Sequence, residues 1–291
     1  MMLQLIQNIP LGLRYMLLSS MGFALMGATV KTVSQYGIPL MEIVIARALV
    51  SLIISYADVK RKRIPVWGHN KLLLSARGIV GAAALVCVYY SVTTLPLAEA
   101  TILQYMHPVF TALLAFMLLG ERVQFSTMIC IVLSITGLVV MVKPDLFFAA
   151  ETDLPLFSIM MALLGAFGSA IAYVIVRRLS QTEDSSVIIL YFPLIALPAA
   201  IVLSGGELVA PDGYALMLLI LVGVFTQVGQ VGLTKAMQHE AASKATAFSY
   251  IQVIFSILLG WFVFSELPSL WTLTGGGLII TGALVNVLWK R

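Results

Sequence analysis

The sequence predicts an all-α membrane protein with ten transmembrane helices, arranged as two inverted five-helix repeats around a central cavity. The composition, the spacing of the apolar runs and an internal repeat each support this fold class. Of the 291 residues, 60% are hydrophobic and 10% are charged, and the mean hydropathy is +1.03. Soluble domains carry about a quarter charged residues. The chain therefore lacks the polar surface that a water-soluble protein of this length needs.

Apolar runs between charged or turn-rich breaks define the ten predicted helices. A run of about 20 residues, rising ~1.5 Å per residue, crosses a hydrocarbon layer ~30 Å thick. The predicted spans are 13–34, 38–57, 71–93, 97–119, 123–142, 155–176, 185–204, 213–235, 241–264 and 269–289. The connections are short and leave no room for a soluble catalytic domain. No small-residue cleavage site follows the first run, which is interpreted as a span and not as a secretory signal.

The distribution of lysine and arginine predicts that both termini face the cytoplasm. With this orientation, most of the basic residues, including the Lys60-Arg61-Lys62-Arg63 run, lie on the cytoplasmic side. The outer loops are acidic instead, and Lys143 and Lys31 are their basic exceptions. Basic residues beside membrane spans set orientation and contact lipid headgroups. The basic surplus thus predicts contact with membrane lipid in a plasma (bacterial inner) membrane, and no nucleic-acid partner.

The chain also repeats itself. The segment ATILQYMHPVFTALLAFMLLGE (100–121) aligns with ATAFSYIQVIFSILLGWFVFSE (245–266), and LSITG (133–137) aligns with LIITG (278–282). The alignment keeps tyrosine, phenylalanine, glutamate and a Thr-Gly pair in one register across two helices, beyond what two unrelated apolar helices share. Each half, 1–143 and 155–289, holds five spans. Because five is odd, the second half enters the membrane inverted, an arrangement typical of secondary transporters.

The repeated segments carry a family resemblance. PLAEATILQYMHPVFTALLAFMLLGER (96–122) and AASKATAFSYIQVIFSILLGWFVFSE resemble the EamA-type branch of the drug/metabolite transporter superfamily, and the resemblance extends over essentially the whole chain. It implies a carrier or facilitator that exports amino acids or other small metabolites. It also implies that spans 1, 3, 4, 6, 8 and 9 surround the cavity and that spans 5 and 10 lie to one side. The second copy departs from the motif, since Val253 stands opposite Pro108.

The stretch LQYMHPVF (103–110) places polar groups deep in the fourth span. Gln104, His107 and Thr111 share one helical face, and Tyr105 flanks it. Pro108 has no N–H, so the carbonyl of Gln104 loses its helical donor. Polar groups in a membrane helix face protein or water. The stripe is therefore predicted to face a cavity.

Polar residues on other spans extend this predicted binding site. The predicted substrate-binding residues are Tyr90, Gln104, Tyr105, His107, Gln227, Gln230, Tyr250 and Gln252. For each one, the alternative is a hydrogen bond that only holds two helices together. Convergence of the set on spans 4, 8 and 9 favours a pathway lining.

Four ionisable residues are predicted coupling or gate candidates: Arg47, Glu99, His107 and Lys244. For Arg47, the alternative role is a structural ion pair or an interfacial anchor, although Glu42 lies too far round the helix for an ideal ion pair. Glu99 and Lys244 have the alternative of capping helix ends. A neutral, hydrogen-bonded histidine is the alternative to proton coupling for His107.

These features predict a secondary transporter that exports a small polar or amphipathic metabolite, such as an amino acid, by alternating access. A nucleotide-sugar or organic-phosphate exchanger is the main alternative. It would need cations in the cavity, for which Arg47, Arg77 and Lys31 are the deep candidates. No phosphate-binding loop occurs, which excludes an ATP-driven pump. A membrane-embedded enzyme is a weaker alternative, because no metal-ligand cluster or serine elbow occurs and the deep polar groups are mostly neutral amides and phenols. A non-transporting scaffold is also weaker, because the internal duplication counts against it. No cofactor is predicted.

The small residues GGG (275–277) predict close helix packing, either inside the chain or at the interface of a homodimer.

Overall fold

The computed structural model describes residues 11–120, 125–142, 154–206, 208–242, 245–246, 249 and 251–288, and the regular elements it gives for them are helices. The helices are α1 (Leu11–Gln35), α2 (Leu40–Lys62), α3 (Lys71–Thr94), α4 (Leu97–Gln104), α5 (His107–Leu119), α6 (Phe125–Val142), α7 (Leu156–Leu179), α8 (Ser185–Leu203), α9 (Gly213–His239), α10 (Ile251–Phe264) and α11 (Leu270–Leu288). The predicted all-α fold class is confirmed.

The helices are long and apolar enough for a multi-pass membrane protein. Within the described residues, seven stretches of at least 18 residues have the length and hydropathy to cross a bilayer, one of them running through α4 and α5. Three shorter apolar stretches lie in α6, α10 and α11, at the predicted fifth, ninth and tenth spans. The structure is therefore consistent with ten spans.

Polar side chains mark where several helices begin. Asn70, Asp184 and Asp212 each precede a helix and accept a hydrogen bond from a backbone N–H of its first turn, as N-cap residues do. At the other end of a helix, α2 continues to Lys62, five residues beyond its predicted end at 57. The basic run stays helical after the apolar segment ends. Charged side chains disfavour the bilayer interior, but they do not break a helix.

The packing of the helices has the symmetry of the two repeats. Helix α1 packs on α9 and α10, and in the other repeat α7 packs on α3, α4 and α5. Helix α2 packs on α8 and α9, while α8 packs on α2 and α3. Helices α6 and α11 pack on each other beside this core. Exchanging the repeats reproduces the contacts named here, in agreement with a fold of two inverted five-helix repeats.

Two glycines matched in the repeat allow α6 and α11 to approach closely. A Cβ atom on Gly137 would lie 2.4 Å from the carbonyl oxygen of Gly275, and one on Gly282 would lie 3.1 Å from that of Cys130. On the same helix, a Cβ on Gly276 would meet Ile102 at 3.1 Å. These small residues therefore serve packing inside the chain, and the homodimer stays a prediction.

The predicted fourth span, 97–119, is not one continuous helix. It is interrupted at Tyr105 and Met106, where α4 ends at Gln104 and α5 begins at His107. Pro108 lies in the first turn of α5, where its missing N–H costs no helical hydrogen bond. The interruption brings Tyr105 and His107 to the inner surface of the bundle.

The two ends of the bundle differ in the connections they contain. The Lys31 end contains the connections at 36–39, 95–96 and 265–269, and the Lys62 end contains those at 63–70 and 180–184. At the Lys62 end, the carboxylate of Glu183 accepts hydrogen bonds from the backbone N–H groups of His69 and Asn70, each at 2.7 Å. Burial raises the pKa of Glu183, but the hydrogen bonds from Asn70 and His69 outweigh burial and hold it below its ordinary value of 4.5.

This carboxylate predicts an acid-sensitive connection. A group with a lowered pKa stabilises the fold while it is ionised, and the stabilisation is lost as the pH falls through the folded-state pKa. We expect Glu183→Gln to be less stable than the wild type at neutral pH and to lose less stability on acidification. Thermal unfolding in detergent at neutral pH and at roughly pH 4 measures both. Equal losses in the two proteins would contradict the role of Glu183.

Candidate functional site

A cavity lies inside the bundle, between the two repeats. Water centres can occupy about 100 Å³ of it, and one water needs roughly 10–15 Å³ by this measure. Several waters or a small solute therefore fit. The polar and charged lining residues are Arg47, Arg77, Thr101, Gln104, Tyr105, His107, Ser169, Tyr173, Gln230, Ser249, Gln252 and Ser256. Apolar side chains, among them phenylalanine, methionine, leucine and valine, form the rest of the wall.

The interrupted fourth span and α10 meet in this cavity. The Tyr105 hydroxyl donates a hydrogen bond of 2.7 Å to Oε1 of Gln252. Gln104 precedes Tyr105 and lines the cavity beside it. Tyr105 and Gln252 belong to different repeats, so a rocking motion of one repeat against the other would change this contact.

His107 is buried at the start of α5. Its ring centroid lies 5.0 Å from those of Tyr105 and Tyr173, and it meets the Tyr173 ring edge-on. Its Nδ1 has no hydrogen-bond partner among the described residues. Aromatic contacts therefore hold the imidazole in place at the cavity wall.

Two arginines line the same cavity. Arg47 of α2 and Arg77 of α3 are each 3% exposed. Both guanidinium carbons lie 4.9 Å from the centroid of the Phe192 ring. Arg77 also donates a hydrogen bond of 2.9 Å to Oε1 of Gln230. Within the described part of the chain, neither arginine has a carboxylate within 4.0 Å.

Three predicted site residues lie outside the cavity lining. Gln227 donates a hydrogen bond of 2.9 Å to the hydroxyl of Ser55 on α2. The Tyr90 ring packs edge-on against Phe157 at 5.3 Å. Glu99 is buried and accepts a hydrogen bond of 2.8 Å from the Thr272 hydroxyl. Helix packing accounts for these contacts, and the binding or gate roles of these residues stay predictions.

Two further predicted residues, Tyr250 and Lys244, lie outside the described residues. Their assigned roles also stay predictions.

Glu42, the acidic residue nearest to Arg47 in sequence, accepts a hydrogen bond of 2.9 Å from the backbone N–H of Val209. That carboxylate is therefore engaged at the Lys31 end of the bundle, away from the guanidinium.

An ion pair joins α1 to the segment that follows α10 at the Lys31 end of the bundle. Lys31 of α1 pairs with Glu266, which follows α10. The second carboxylate oxygen of Glu266 accepts a hydrogen bond of 3.0 Å from the backbone N–H of Leu97, and Lys31 also donates to the carbonyl oxygen of Leu95 at 3.1 Å. Glu266 therefore ties α1, the start of α4 and the end of α10 together.

Removing this charge should loosen the Lys31 end. We expect Glu266→Gln to lower the free energy of unfolding by about 1–3 kcal/mol, because a charge-assisted hydrogen bond and an ion pair are lost. The same substitution in a Lys31→Met background should cost less. Chemical unfolding in detergent, analysed as a double-mutant cycle, measures the coupling. Equal costs in both backgrounds would show that the pair contributes no coupling.

Comparison with known families agrees with this architecture. The model of the EamA-like transporter family matches twice along the chain, at residues 10–143 and 156–288. The chain belongs to the EamA-like transporter family. The resemblance predicted from the repeated segments is confirmed, and the protein is a multi-pass integral membrane transporter of small molecules. Membership in this family indicates a transporter rather than an enzyme.

Several relatives of this EamA-like chain have named activities. It is 31% identical to the pseudopaline exporter CntI of Pseudomonas aeruginosa over 281 residues, covering 96% of this chain and 97% of the relative. It is 29% identical to human solute carrier family 35 member G1 over 293 residues, covering 97% and 80%. It is 26% identical to the S-adenosylmethionine uptake transporter of Rickettsia felis over 215 residues, covering 74% and 71%. The pseudopaline exporter and the S-adenosylmethionine uptake transporter differ in the solute that their names give.

A solved crystal structure shares the fold. It superposes with a TM-score of 0.72 and 17% sequence identity, covering 94% of this chain and 96% of the other. At this identity the likeness concerns the fold alone.

The predicted binding residues did not include Ser169 and Tyr173, and Arg77 was predicted only as a deep cation of the alternative phosphate exchanger. Arg77 lies one turn and a half into α3, close to Lys71 at its start. The usable signal was its distance from any acidic residue in sequence, because a deep arginine without a local acid needs a partner elsewhere.

Proposed function

We propose that this EamA-like chain is a secondary transporter that exports a small polar or amphipathic metabolite, similar to an amino acid, by alternating access. The observation that carries the proposal is a cavity inside the bundle whose polar lining comes from both inverted repeats. In such folds, a central site opens to either side when the repeats rock against each other. The solute's own gradient or a proton supplies the driving force.

The binding roles follow from the lining. Gln104, Gln230 and Gln252 supply amide donors and acceptors for the polar groups of the solute. Tyr105 and the apolar wall pack its carbon skeleton. His107, also in the wall, is the proposed proton-coupling group.

The membrane and the orientation belong to the same proposal. Basic residues at the Lys62 end, from Lys60 to Arg63, favour placing that end in the cytoplasm. Both termini are then cytoplasmic, the membrane is a plasma membrane, and the Lys31–Glu266 pair closes the outer side. Export as the net direction is supported by the similarity to the pseudopaline exporter over nearly the full chain.

A second candidate, a nucleotide-sugar or organic-phosphate exchanger, is favoured by one observation. Arg47 and Arg77 both line the cavity, and phosphate carriers need cationic groups there. The narrow cavity favours a smaller solute than a nucleotide sugar.

Counterflow in reconstituted vesicles tests the proposed transport. Vesicles loaded with one metabolite at millimolar concentration should accumulate the same labelled metabolite from outside for at least one member of a panel of amino acids, organic acids and phosphate esters. Protein-free vesicles supply the background. Flux at background for every member of the panel would contradict the proposed function.

A further inference from the structure

The cavity contains two cationic side chains without an anionic partner among the described residues. The Nε and Nη1 atoms of both Arg47 and Arg77 are buried and have no hydrogen-bond acceptor within that part of the chain. Both guanidiniums contact the Phe192 ring, and Arg47 also lies 5.4 Å from the Tyr89 ring centroid. Contact with aromatic faces offsets part of the cost of burying a cation. It does not neutralise the charge.

The carboxylates of the described chain are engaged elsewhere. Glu42 accepts from Val209, Glu99 accepts from Thr272 and Glu266 pairs with Lys31. The remaining ion pairs in the described ranges involve Asp58, Asp184 and Glu183 at the Lys62 end. Among the described residues, no carboxylate balances the charge of the two arginines, which leaves that charge for a ligand to balance. Ionisable groups inside a membrane protein are rarely left unpaired unless they lie on a substrate pathway.

We propose that Arg47 and Arg77 form the anion-binding part of the transport site, and that the transported solute is a small dicarboxylate, with or without an amino group. The proposal rests on the proposed transport function and names its substrate class. The planar guanidinium matches the two oxygens of a carboxylate. The two arginines arise from different helices and keep separate unbonded donors, so each can hold one carboxylate of a single carbon skeleton. Gln104 also lines the cavity and can meet an amino or hydroxyl group, whereas the amide oxygens of Gln230 and Gln252 already accept from Arg77 and Tyr105.

Binding by the purified wild-type protein tests the charge requirement without any variant. The probes are succinate, glutarate, glutamate and aspartate, each paired with its neutral or less charged amide, such as succinamide or glutamine. At least one dicarboxylate should bind about tenfold or more tightly than its amide, because a charge-assisted hydrogen bond is lost in the amide. Calorimetry in lipid nanodiscs measures both affinities. Equal affinity within the pairs, or no binding by any dicarboxylate, would overturn the proposal.

Variants locate the site. Arg47→Gln and Arg77→Gln should each weaken dicarboxylate binding about tenfold to about a hundredfold. The matched control is Arg61→Gln, since Arg61 is an exposed arginine at the end of α2, paired with Asp58. If a glutamine variant does not fold, Arg47→Lys and Arg77→Lys keep the charge without the planar fork and should bind more weakly than wild type. Unchanged binding in folded Arg47 and Arg77 variants would overturn the assignment.

Two further outcomes separate this inference from the function on which it rests. Binding of glycerol 3-phosphate with no binding of any dicarboxylate would overturn the dicarboxylate class in favour of phosphate esters. Counterflow of a neutral metabolite, together with no dicarboxylate binding, would leave the transport function standing and remove the anion site. Dicarboxylate binding in a protein that shows no counterflow of any solute would support the anion site and contradict the transport function.

Discussion

Replacing Gly232 by alanine is expected to lower the free energy of unfolding by about 3 kcal/mol or more, a large effect for a single added methyl group. Gly232 lies where α9 crosses α1. A Cβ atom there would lie 2.6 Å from the carbonyl oxygen of Tyr15 and 2.8 Å from the backbone nitrogen of Ser19. Both are backbone atoms, so relief requires the two helices to move apart.

The matched control for this substitution is Gly277→Ala on α11. Gly277 is also helical, but a Cβ there meets nothing within 4 Å among the described residues. Alanine is the better helix former by up to about 1 kcal/mol, so the control should be neutral or slightly stabilising. Chemical unfolding in detergent, together with the amount of protein inserted in membranes, measures both variants. Equal stabilities for the two alanine variants would contradict the close packing of α1 on α9.

The double substitution Gln104→Leu with Gln252→Leu is expected to reduce transport about a hundredfold or more while leaving membrane insertion intact. Each leucine removes a hydrogen-bonding group that the solute would use, and two such losses multiply to roughly this factor. Gln252 also accepts the hydrogen bond from Tyr105 that joins the two repeats. The double variant therefore affects both the binding site and the contact between the repeats.

Initial rates of counterflow in vesicles measure this effect. Gln181→Leu is the control, because Gln181 lies exposed between α7 and α8, outside the cavity. Its rate should equal that of the wild type. A double variant that transports at the wild-type rate would show that the solute does not use this cavity.

The fold was largely predictable from sequence because membrane insertion depends on local properties. Runs of apolar residues predict the spans. The matched segments 100–121 and 245–266 predict the repeat. The split of the fourth span at Tyr105 was partly predictable, since Pro108 has no N–H to donate to the carbonyl of Gln104 in a continuous helix. Gln104, Tyr105 and His107 line the cavity because they lie where the helix is interrupted.

The rotation of each helix about its axis was less predictable. Gln227 and Gln230 are three residues apart and were expected to share one face toward the cavity. Of the two, Gln230 lines it, and Gln227 bonds to Ser55 instead. Glycines on α9 decide this orientation, because Gly229 and Gly232 must face α1 to let the backbones approach. Which neighbour a helix meets depends on tertiary packing, and a single sequence carries that information weakly.

Pairs distant in sequence were not predictable at all. The pair between Lys31 and Glu266 joins residues separated by 235 positions. The meeting of Arg47 and Arg77 at one phenyl ring likewise depends on three helices coming together. Such contacts exist only once the two repeats have packed.

The cavity between the repeats is proposed to open in turn to each side of the membrane, and every transport prediction depends on this. Its most direct test is labelling of Gln104→Cys, in a protein whose two native cysteines, Cys87 and Cys130, are replaced by alanine. A membrane-impermeant maleimide is applied from one side or the other of oriented vesicles. We predict that maleimide applied to either side labels the introduced cysteine. The same protein molecules should react with the reagent from both sides. Absence of labelling from both sides, or labelling from one side only in a protein that still transports, would contradict alternating access.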